Sequence, residues 1–448
     1  MIIRKNHEEA EQLTFDPNST KLKQVNTAYL VLVLTKEYLE GKASSKEKSI
    51  YWISFPFDVM LSEVFGGGLE YGNDYMVQYY DGVARADKGC WSDSPTYWKY
   101  YEETAGVKLQ KGFGYVIVLD WKRIVDRFFT AGNEEVCIYF PSANKEPMDI
   151  SGEWVSVDVP AHPCSIERDN RYIYDSNWNL IGAPSFANID QFGNPMPMEQ
   201  IGNYKVGFLY EYDPNKICYN VNEAESIDFM STYAYMVQFA GTIDWKEKNY
   251  SGTLPKELQA RRVAGEEECY TLLLALSRNG KRLDKTYVRF RDGEATCEFD
   301  LNIDLTKIDN AGVSLYTLTD GDSIRVAANV QPVPVALKQI PVGVSLTQDG
   351  EYTFALPDGT EGMSVTLLDT ETGIRTNLLF DSYTVTLAKG TYAQRFVLEV
   401  NPKQHIITAS DNVGTEDNTI RKYLIDGNLY IRKDNRLYDV QGRQLKAW

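Results

Sequence analysis

Histidine is almost missing from this chain: His7, His162 and His405 are the only three in 448 residues. Imidazole is the usual proton carrier near neutral pH, so its scarcity narrows the catalytic options. A Ser-His-Asp arrangement would have to use His162, because His7 and His405 fall in a terminal segment and a linker. The neighbouring Ser165 has no Gly-x-Ser-x-Gly elbow around it. The six cysteines (Cys90, Cys137, Cys164, Cys218, Cys269, Cys297) stand far apart and form no Cys-x-x-Cys pair. With so few histidines, no zinc spacing exists and no metal site is expected. Isolated buried thiols are a plainer reading of these cysteines than disulfides. Long apolar runs are also lacking. Ala28 to Leu34 is far short of the roughly 20 residues a helix needs to cross a bilayer, so the chain is expected not to be membrane-spanning. Clustered positive charge is missing from the body of the chain, whose net charge of -17 is spread along it. Phosphate contact needs grouped Lys and Arg, so nucleic acid is not an expected partner.

Aromatic residues are plentiful. They make up 12% of the chain and include 30 Tyr, a composition that suits pleated, half-buried surfaces better than helices. The expected fold class is all-β: tandem antiparallel β-sandwich or jelly-roll-like modules with few short helices. The length implies three or four such modules, because single cores stop growing well below this size. A weak internal repeat supports modularity. Trp52-Ile-Ser-Phe-Pro56 with Gly114-Tyr-Val-Ile-Val118 is echoed by Trp178-Asn-Leu-Ile-Gly-Ala-Pro184 with Tyr233-Ala-Tyr-Met-Val237. Each copy closes near an Asp-Trp pair, Asp120-Trp121 and Asp244-Trp245. The matching places of Trp52 and Trp178 in the repeat mark both as core.

The expected organisation is an N-terminal segment 1–25, a first module 26–149, a second module 150–255 that repeats the first, a β-sandwich 265–402, a polar linker 403–419 and a terminal hairpin 420–448. Strands are expected at Ala28–Leu34, Ile50–Phe57, Tyr75–Tyr80, Gly114–Leu119 and Val136–Phe140 in the first module. In the second they fall at Trp154–Val159, Tyr172–Tyr174, Trp178–Ile181, Val206–Tyr212 and Tyr235–Phe239. Tyr80-Asp-Gly82 reads as a turn, Trp121 to Thr130 as a short helix and Lys256 to Ala264 as a helical connector. The third module alternates most cleanly, with apolar residues two apart in Glu351–Leu356, Ser364–Asp369, Tyr383–Leu387 and Arg395–Val400. The tail reverses the charge of the body: from Arg421 onward, seven basic residues face only Asp426, Asp434 and Asp439.

These last segments carry a resemblance. Asp349-Gly-Glu-Tyr-Thr-Phe354, Leu368-Asp-Thr-Glu-Thr-Gly373, Phe380-Asp-Ser-Tyr-Thr-Val385 and Arg395-Phe-Val-Leu398 look like the C-terminal β-sandwich of large secreted proteins from the Bacteroidetes phylum. The tail, with Tyr423-Leu-Ile-Asp-Gly-Asn-Leu-Tyr430 and Leu437-Tyr-Asp-Val-Gln-Gly-Arg443, resembles their short terminal hairpins of the type IX sorting kind. Trp178-Asn-Leu-Ile-Gly-Ala-Pro184 is similar to a strand motif of their repeated upstream modules. The resemblance implies an extracellular or cell-surface location and specifies no activity. The start of the chain lacks a signal peptide, so the expectation is a fragment of a larger exported protein.

Three candidate chemistries remain. Asp300-Leu-Asn302-Ile-Asp304 opens like a calcium loop, but Leu305 and Ala311 occupy the places where an EF-hand needs Gly and Glu. A solvated strand edge or turn is therefore expected there. The 63 acidic residues supply many fortuitous carboxylate pairs, so a glycoside hydrolase cannot be located by spacing in a β protein. The aromatic group Trp91, Tyr97, Trp98, Tyr100 and Tyr101, near Tyr79 and Tyr80, offers flat faces for stacking a sugar ring, with Asp93 and Lys99 as hydrogen-bonding groups. The competing reading makes these rings core or loop anchors. The expected protein is non-enzymatic, with no catalytic residue and no cofactor, and acts as an adhesin-like or scaffold piece with a protein or glycan partner at a cell surface. A carbohydrate-binding module array is the alternative.

Overall fold

The structure is a computed structural model, and the residues it describes are 2–5, 12–14, 24–25, 28–36, 50–88, 97–143, 148–149, 154–164, 175–184, 198–200, 206–213, 218–230, 232–247, 269–291, 293, 295–310, 312–321, 324–357, 363–402, 420–425, 428–433, 436–439 and 441–447. The expected strand Tyr172–Tyr174, the connector at Lys256 to Ala264 and the 403–419 linker lie outside them. The chain divides into two compact units, residues 1–264 with 301–303, and 265–300 with 304–448. Both are built almost wholly of strands, so the fold is all-β.

In the first half of unit 1, after the short strands Ile2–Lys5, Gln12–Thr14 and Gln24–Val25, the strands that frame the core are β1 (Tyr29–Thr35), β2 (Ile50–Ser54), β3 (Tyr75–Tyr80), β4 (Trp98–Tyr100), β5 (Gly114–Leu119) and β6 (Glu135–Pro141). Helix α1 (Gly82–Lys88) lies between β3 and β4, and α2 (Trp121–Ile124) continues into a π-turn, Val125–Phe129, before β6. β1 and β6 pair antiparallel, and β2, β5, β3 and β4 form a second sheet in that order. Period-two alternation builds the core: Leu30, Leu32 and Leu34 of β1, with Ile138 beside them on β6, join Ile53, Val77 and Ile117 of the second sheet, all fully buried. Tyr80-Asp-Gly82 is not a turn as its composition suggests. The Asp81 carboxylate accepts the Ala84 amide at 2.9 Å, which caps and starts α1.

The rest of the unit runs through β7 (Trp154–Val159), β8 (Trp178–Gly182), β9 (Met198–Gln200), β10 (Phe208–Asp213), β11 (Cys218–Glu223), β12 (Ala234–Gln238) and β13 (Gly241–Glu247). Its four-stranded sheet has the order β8-β12-β10-β11 and faces β7-β13-β9 across a core that includes Ile181, Leu209, Val237 and Trp245. The two four-stranded sheets correspond strand for strand. Ser54 pairs with Gly114 as Gly182 pairs with Ala234. Gln78 pairs with Val116 as Tyr210 pairs with Met236. Tyr80 pairs with Trp98 as Tyr212 pairs with Tyr219.

This register shifts the correspondence suggested by the sequence. Ser54-Phe-Pro56 matches Gly182-Ala-Pro184, which places Ile50, not Trp52, in the position of Trp178. Trp178 is fully buried, whereas Trp52 is half-buried and outside the core. The Asp-Trp pairs do not correspond either, because Asp120 caps α2 while Asp244 and Trp245 lie within β13.

The two sheets meet face to face with their backbones in contact. The Ser54 amide donates to Thr232 O at 3.2 Å and the Gly182 amide to Gly112 O at 3.0 Å, reciprocal bonds related by the repeat. The Ser54 hydroxyl donates to Tyr233 O at 2.8 Å. A Cβ on Gly182 would sit 2.1 Å from that of Ser54, and one on Gly114 would sit 2.5 Å from Leu180 Cγ. Glycine is required at both places by this approach.

Unit 2 contains β14 (Cys269–Arg278), β15 (Lys281–Arg291), β16 (Val313–Leu318), β17 (Arg325–Gln331), β18 (Lys338–Leu346), β19 (Gly350–Ala355), β20 (Met363–Asp369), β21 (Arg375–Asn377), β22 (Tyr383–Leu387) and β23 (Gly390–Pro402). They join one 11-stranded sheet in the order β21-β20-β23-β18-β16-β17-β15-β14-β19-β22, with Leu305–Thr306 pairing on β17. The sheet curls over itself, since Phe354 of β19 meets Phe396 of β23 at 4.7 Å between ring centroids. Asp369 at the end of β20 ties the two edges together. It accepts both Arg395 Nε at 3.0 Å and Nη2 at 2.8 Å, and the Tyr383 hydroxyl of β22 at 2.6 Å. The tail is a four-stranded antiparallel meander, β24 (Ile420–Ile425), β25 (Asn428–Lys433), β26 (Arg436–Asp439) and β27 (Gln444–Ala447), instead of a simple hairpin. Asp439 makes the extra turn by accepting the amides of Gln441 and Arg443, each at 2.9 Å.

Two predictions follow from these contacts. Gly182→Ala is expected to cost about 2–3 kcal/mol by overpacking the sheet contact. The exchange Ser54→Gly with Gly182→Ser should recover most of that loss, because the repeat places a matching carbonyl, Phe113 O, for the moved hydroxyl. Urea unfolding of the single and exchanged chains checks both, and an exchanged chain no better than Gly182→Ala contradicts the reciprocity. At Asp369, burial pushes the carboxyl up, but the Arg395 fork, the Tyr383 hydroxyl and the Glu371 amide outweigh it and hold it at about 2, against an ordinary 3.8. That depression stabilises the fold above about pH 4 and is lost as pH falls toward 2, an effect of roughly 2 kcal/mol. In Asp369→Asn the stability difference between pH 7 and pH 3 is expected to shrink by about 1 kcal/mol, and an unchanged difference would overturn the assignment.

Candidate functional site

The aromatic residues singled out in the sequence divide between two faces of the β2-β5-β3-β4 sheet. Trp91, with Asp93, lies outside the described residues. Tyr97 is fully buried. Tyr79 points to the core side, where its ring meets Tyr101 at 4.7 Å. Tyr80 and Trp98 share the opposite face but meet edge to face, 4.9 Å apart and inclined by 71°. Trp98 also packs on Trp52 at 5.5 Å, and Trp52 stacks on Tyr212 at 5.3 Å with the rings only 11° from parallel. Tyr219 closes the group against Tyr212 at 5.6 Å. Tyr212 and Tyr219 are the repeat counterparts of Tyr80 and Trp98, so the cluster is a two-fold arrangement of rings between the sheets. These inclined rings pack on one another and do not form a flat sugar platform.

Behind them, α1 delivers Arg85 into the sheet contact. Its guanidinium lies 4.1 Å from the Trp178 ring centroid and donates to Asp175 at 3.0 Å and to the Tyr80 hydroxyl at 2.7 Å. Burial lifts the Asp175 carboxyl to about 6, against the opposing pull of Arg85. The His162 ring contacts the Asn179 amide oxygen at 3.2 Å, and Ser165 lies outside the described residues. Sequence reasoning missed Arg85, because its partners Asp175, Trp178 and Tyr80 are distant in the chain.

A different feature on the same sheet face is open to solvent. Past the Trp52 row, a groove of about 330 Å³ is lined by Asn73, Met76, Tyr100, Val118, Asp120 and Trp121, among others. Val118 and Met76 are paired neighbours on β5 and β3 and form the floor. Tyr100 at the end of β4 and Trp121 at the start of α2 supply ring surface. The adjoining turn is locked by Asp74, whose buried carboxylate accepts the Glu70 amide at 2.8 Å, Arg123 Nε at 2.7 Å and Arg127 Nη1 at 2.5 Å. Burial acts to raise this carboxyl, yet these donors hold it below the ordinary carboxylate range. The Asp120 amide donates to Asp74 O at 2.8 Å, and the Asp120 Oδ1 accepts the Arg123 amide at 3.0 Å. The groove therefore has a fixed frame, with apolar rings beside hydrogen-bonding groups.

The calcium-like segment resolves into turn chemistry at Asp300 and Asp304. Asp304 is buried, not solvated, and accepts the amides of Asp300 and Val330, each at 2.7 Å. Asp300 accepts the Thr296 amide and hydroxyl. Among the described residues, no group of three His, Cys, Asp or Glu side chains is placed to hold a metal ion.

Residues 259–400 match the family model of a domain of unknown function (DUF8693), the stretch that carries most of the long sheet of unit 2. No curated protein and no solved structure matches the chain.

Trp98→Ala tests the packing role assigned to that ring. The substitution is expected to lower the unfolding free energy by about 2 kcal/mol, because the half-buried ring leaves Trp52 and Tyr80 exposed. Urea unfolding followed by tryptophan fluorescence reads the change, and an unaltered midpoint contradicts the packing role.

Proposed function

We propose that the protein is a non-enzymatic, secreted or surface-displayed β-module protein, adhesin-like or scaffolding, that works by binding a protein or glycan at a cell surface. The observation that supports this reading is how the buried carboxylates are used. Asp175, Asp304 and Asp369 each accept donors from groups that hold the fold together, and Asp284 is paired with buried Lys307 at 2.6 Å. In the open groove, Asp74 is depressed, opposite to the raised acid that glycoside hydrolysis requires. The groove offers surface for binding and no poised proton donor in this carboxylate. The tail, with its excess of basic side chains, serves sorting or attachment in this reading, as its resemblance to type IX tails implies.

Antibody labelling of intact producing cells, together with incubation of the purified chain with chromogenic glycosides, tests the proposal. Labelling of intact cells without released product is the expected result. Retention inside the cell, or turnover of any glycoside, would overturn it.

A further inference from the structure

The two copies of the four-stranded sheet in unit 1 differ at the place where the groove lies. In the second copy β11 runs the length of β10, from Cys218 opposite Asp213 to Glu223 opposite Phe208, and Phe208 is buried. In the first copy β4 stops at Tyr100, opposite Gln78. Met76, the counterpart of Phe208, has no β4 residue beside it and stays half-buried. The connection after the central strand differs as well. The second copy passes from β12 through Phe239 and Ala240 directly into β13, whereas the first inserts Asp120, α2 and the π-turn before β6. A shortened edge strand and an inserted helix thus open the groove over β3 and β5.

The lining pairs ring surface with acceptors. Tyr100 is 44% exposed, and Trp121 stands half-buried beside Met76 and Val118. Asp120 uses Oδ1 on the Arg123 amide, which leaves Oδ2 without a protein donor among the described residues. Asn73 gives its Nδ2 to Glu70, and its Oδ1 has no donor among the described residues. The edge of β3 is already occupied, since Val77 O accepts the Tyr101 amide and Tyr75 O accepts the Gly72 amide. An added peptide strand is therefore disfavoured. Arg123 and Arg127 are committed to Asp74 and Glu70, so neither guanidinium is held ready for an anion.

We propose that this groove is a carbohydrate subsite that takes one or two rings of a neutral glycan. The proposal rests on the reading of the protein as a binding protein. Pyranose C–H faces stack on aromatic rings, and sugar hydroxyls donate to carboxylate and amide oxygens, the two kinds of group found side by side here. The volume of about 330 Å³ is at the small end of ligand sites, which span roughly 300–1,000 Å³.

Saturation-transfer NMR and calorimetric titration of the full chain with cellobiose, maltose, laminaribiose, xylobiose and diacetylchitobiose provide the test. At least one is expected to bind, and Tyr100→Ala and Asn73→Ala are each expected to weaken it about tenfold with unchanged near-UV circular dichroism. Binding that both substitutions leave intact would overturn this site while keeping a glycan partner elsewhere. Silence with every disaccharide, from a chain that still labels on intact cells, would overturn the subsite and leave the surface-binding reading standing. Failure of cell-surface labelling would sink the broader reading whatever the titrations show.

Discussion

The arrangement of unit 1 depends on two sheets meeting with backbone against backbone at Ser54 and Gly182. Reciprocal amide bonds to Thr232 O and Gly112 O hold the contact, and no side chain fits where a Gly182 Cβ would lie 2.1 Å from its neighbour. Twisted sheets held this closely at one point diverge away from it. The wedge that opens must be filled, and the rings of Trp52, Tyr80, Trp98, Tyr212 and Tyr219 fill it. Their mutual inclination follows from that task. The same contact buries Arg85 against Trp178, with Asp175 as its partner.

Charge inside both units is used as structure. A buried carboxylate without donors is costly, and the cost is offset only when its oxygens are well occupied. Asp74, Asp284, Asp304 and Asp369 all meet that condition, mostly through backbone amides and arginine forks. They fasten turns and sheet edges that hydrophobic packing alone would leave ill-defined. The groove beside Asp74 inherits a rigid wall from this network, which keeps Asn73 and Asp120 in fixed relation.

Much of the fold was legible along the chain. Tyr75–Tyr80, Gly114–Leu119 and Tyr383–Leu387 are strands with the expected bounds, because alternation and flanking turn residues act over a few positions. Helix α1 was not legible: its cap is Asp81, which beside Gly82 also spells a turn. The repeat was visible, but its register was not. Tryptophan is conspicuous in sequence, yet strand pairing is set by backbone contact, and that contact aligns Ser54 with Gly182.

The candidate site was legible only as a neighbourhood. The sequence pointed to aromatic residues around Trp98 in the first module, Tyr100 among them, and the groove lies one strand row away from Trp98, where Tyr100 is joined by Trp121 and Met76. By itself the sequence determined the all-β class and where most strands run, since these follow from period-two patterning and local turn chemistry. Only the tertiary structure decided which rings are buried, which pack on one another and which line an open surface. Those outcomes depend on the length of one edge strand, the insertion of one helix and the close approach of two glycine-bearing strands, relations between residues up to 179 positions apart.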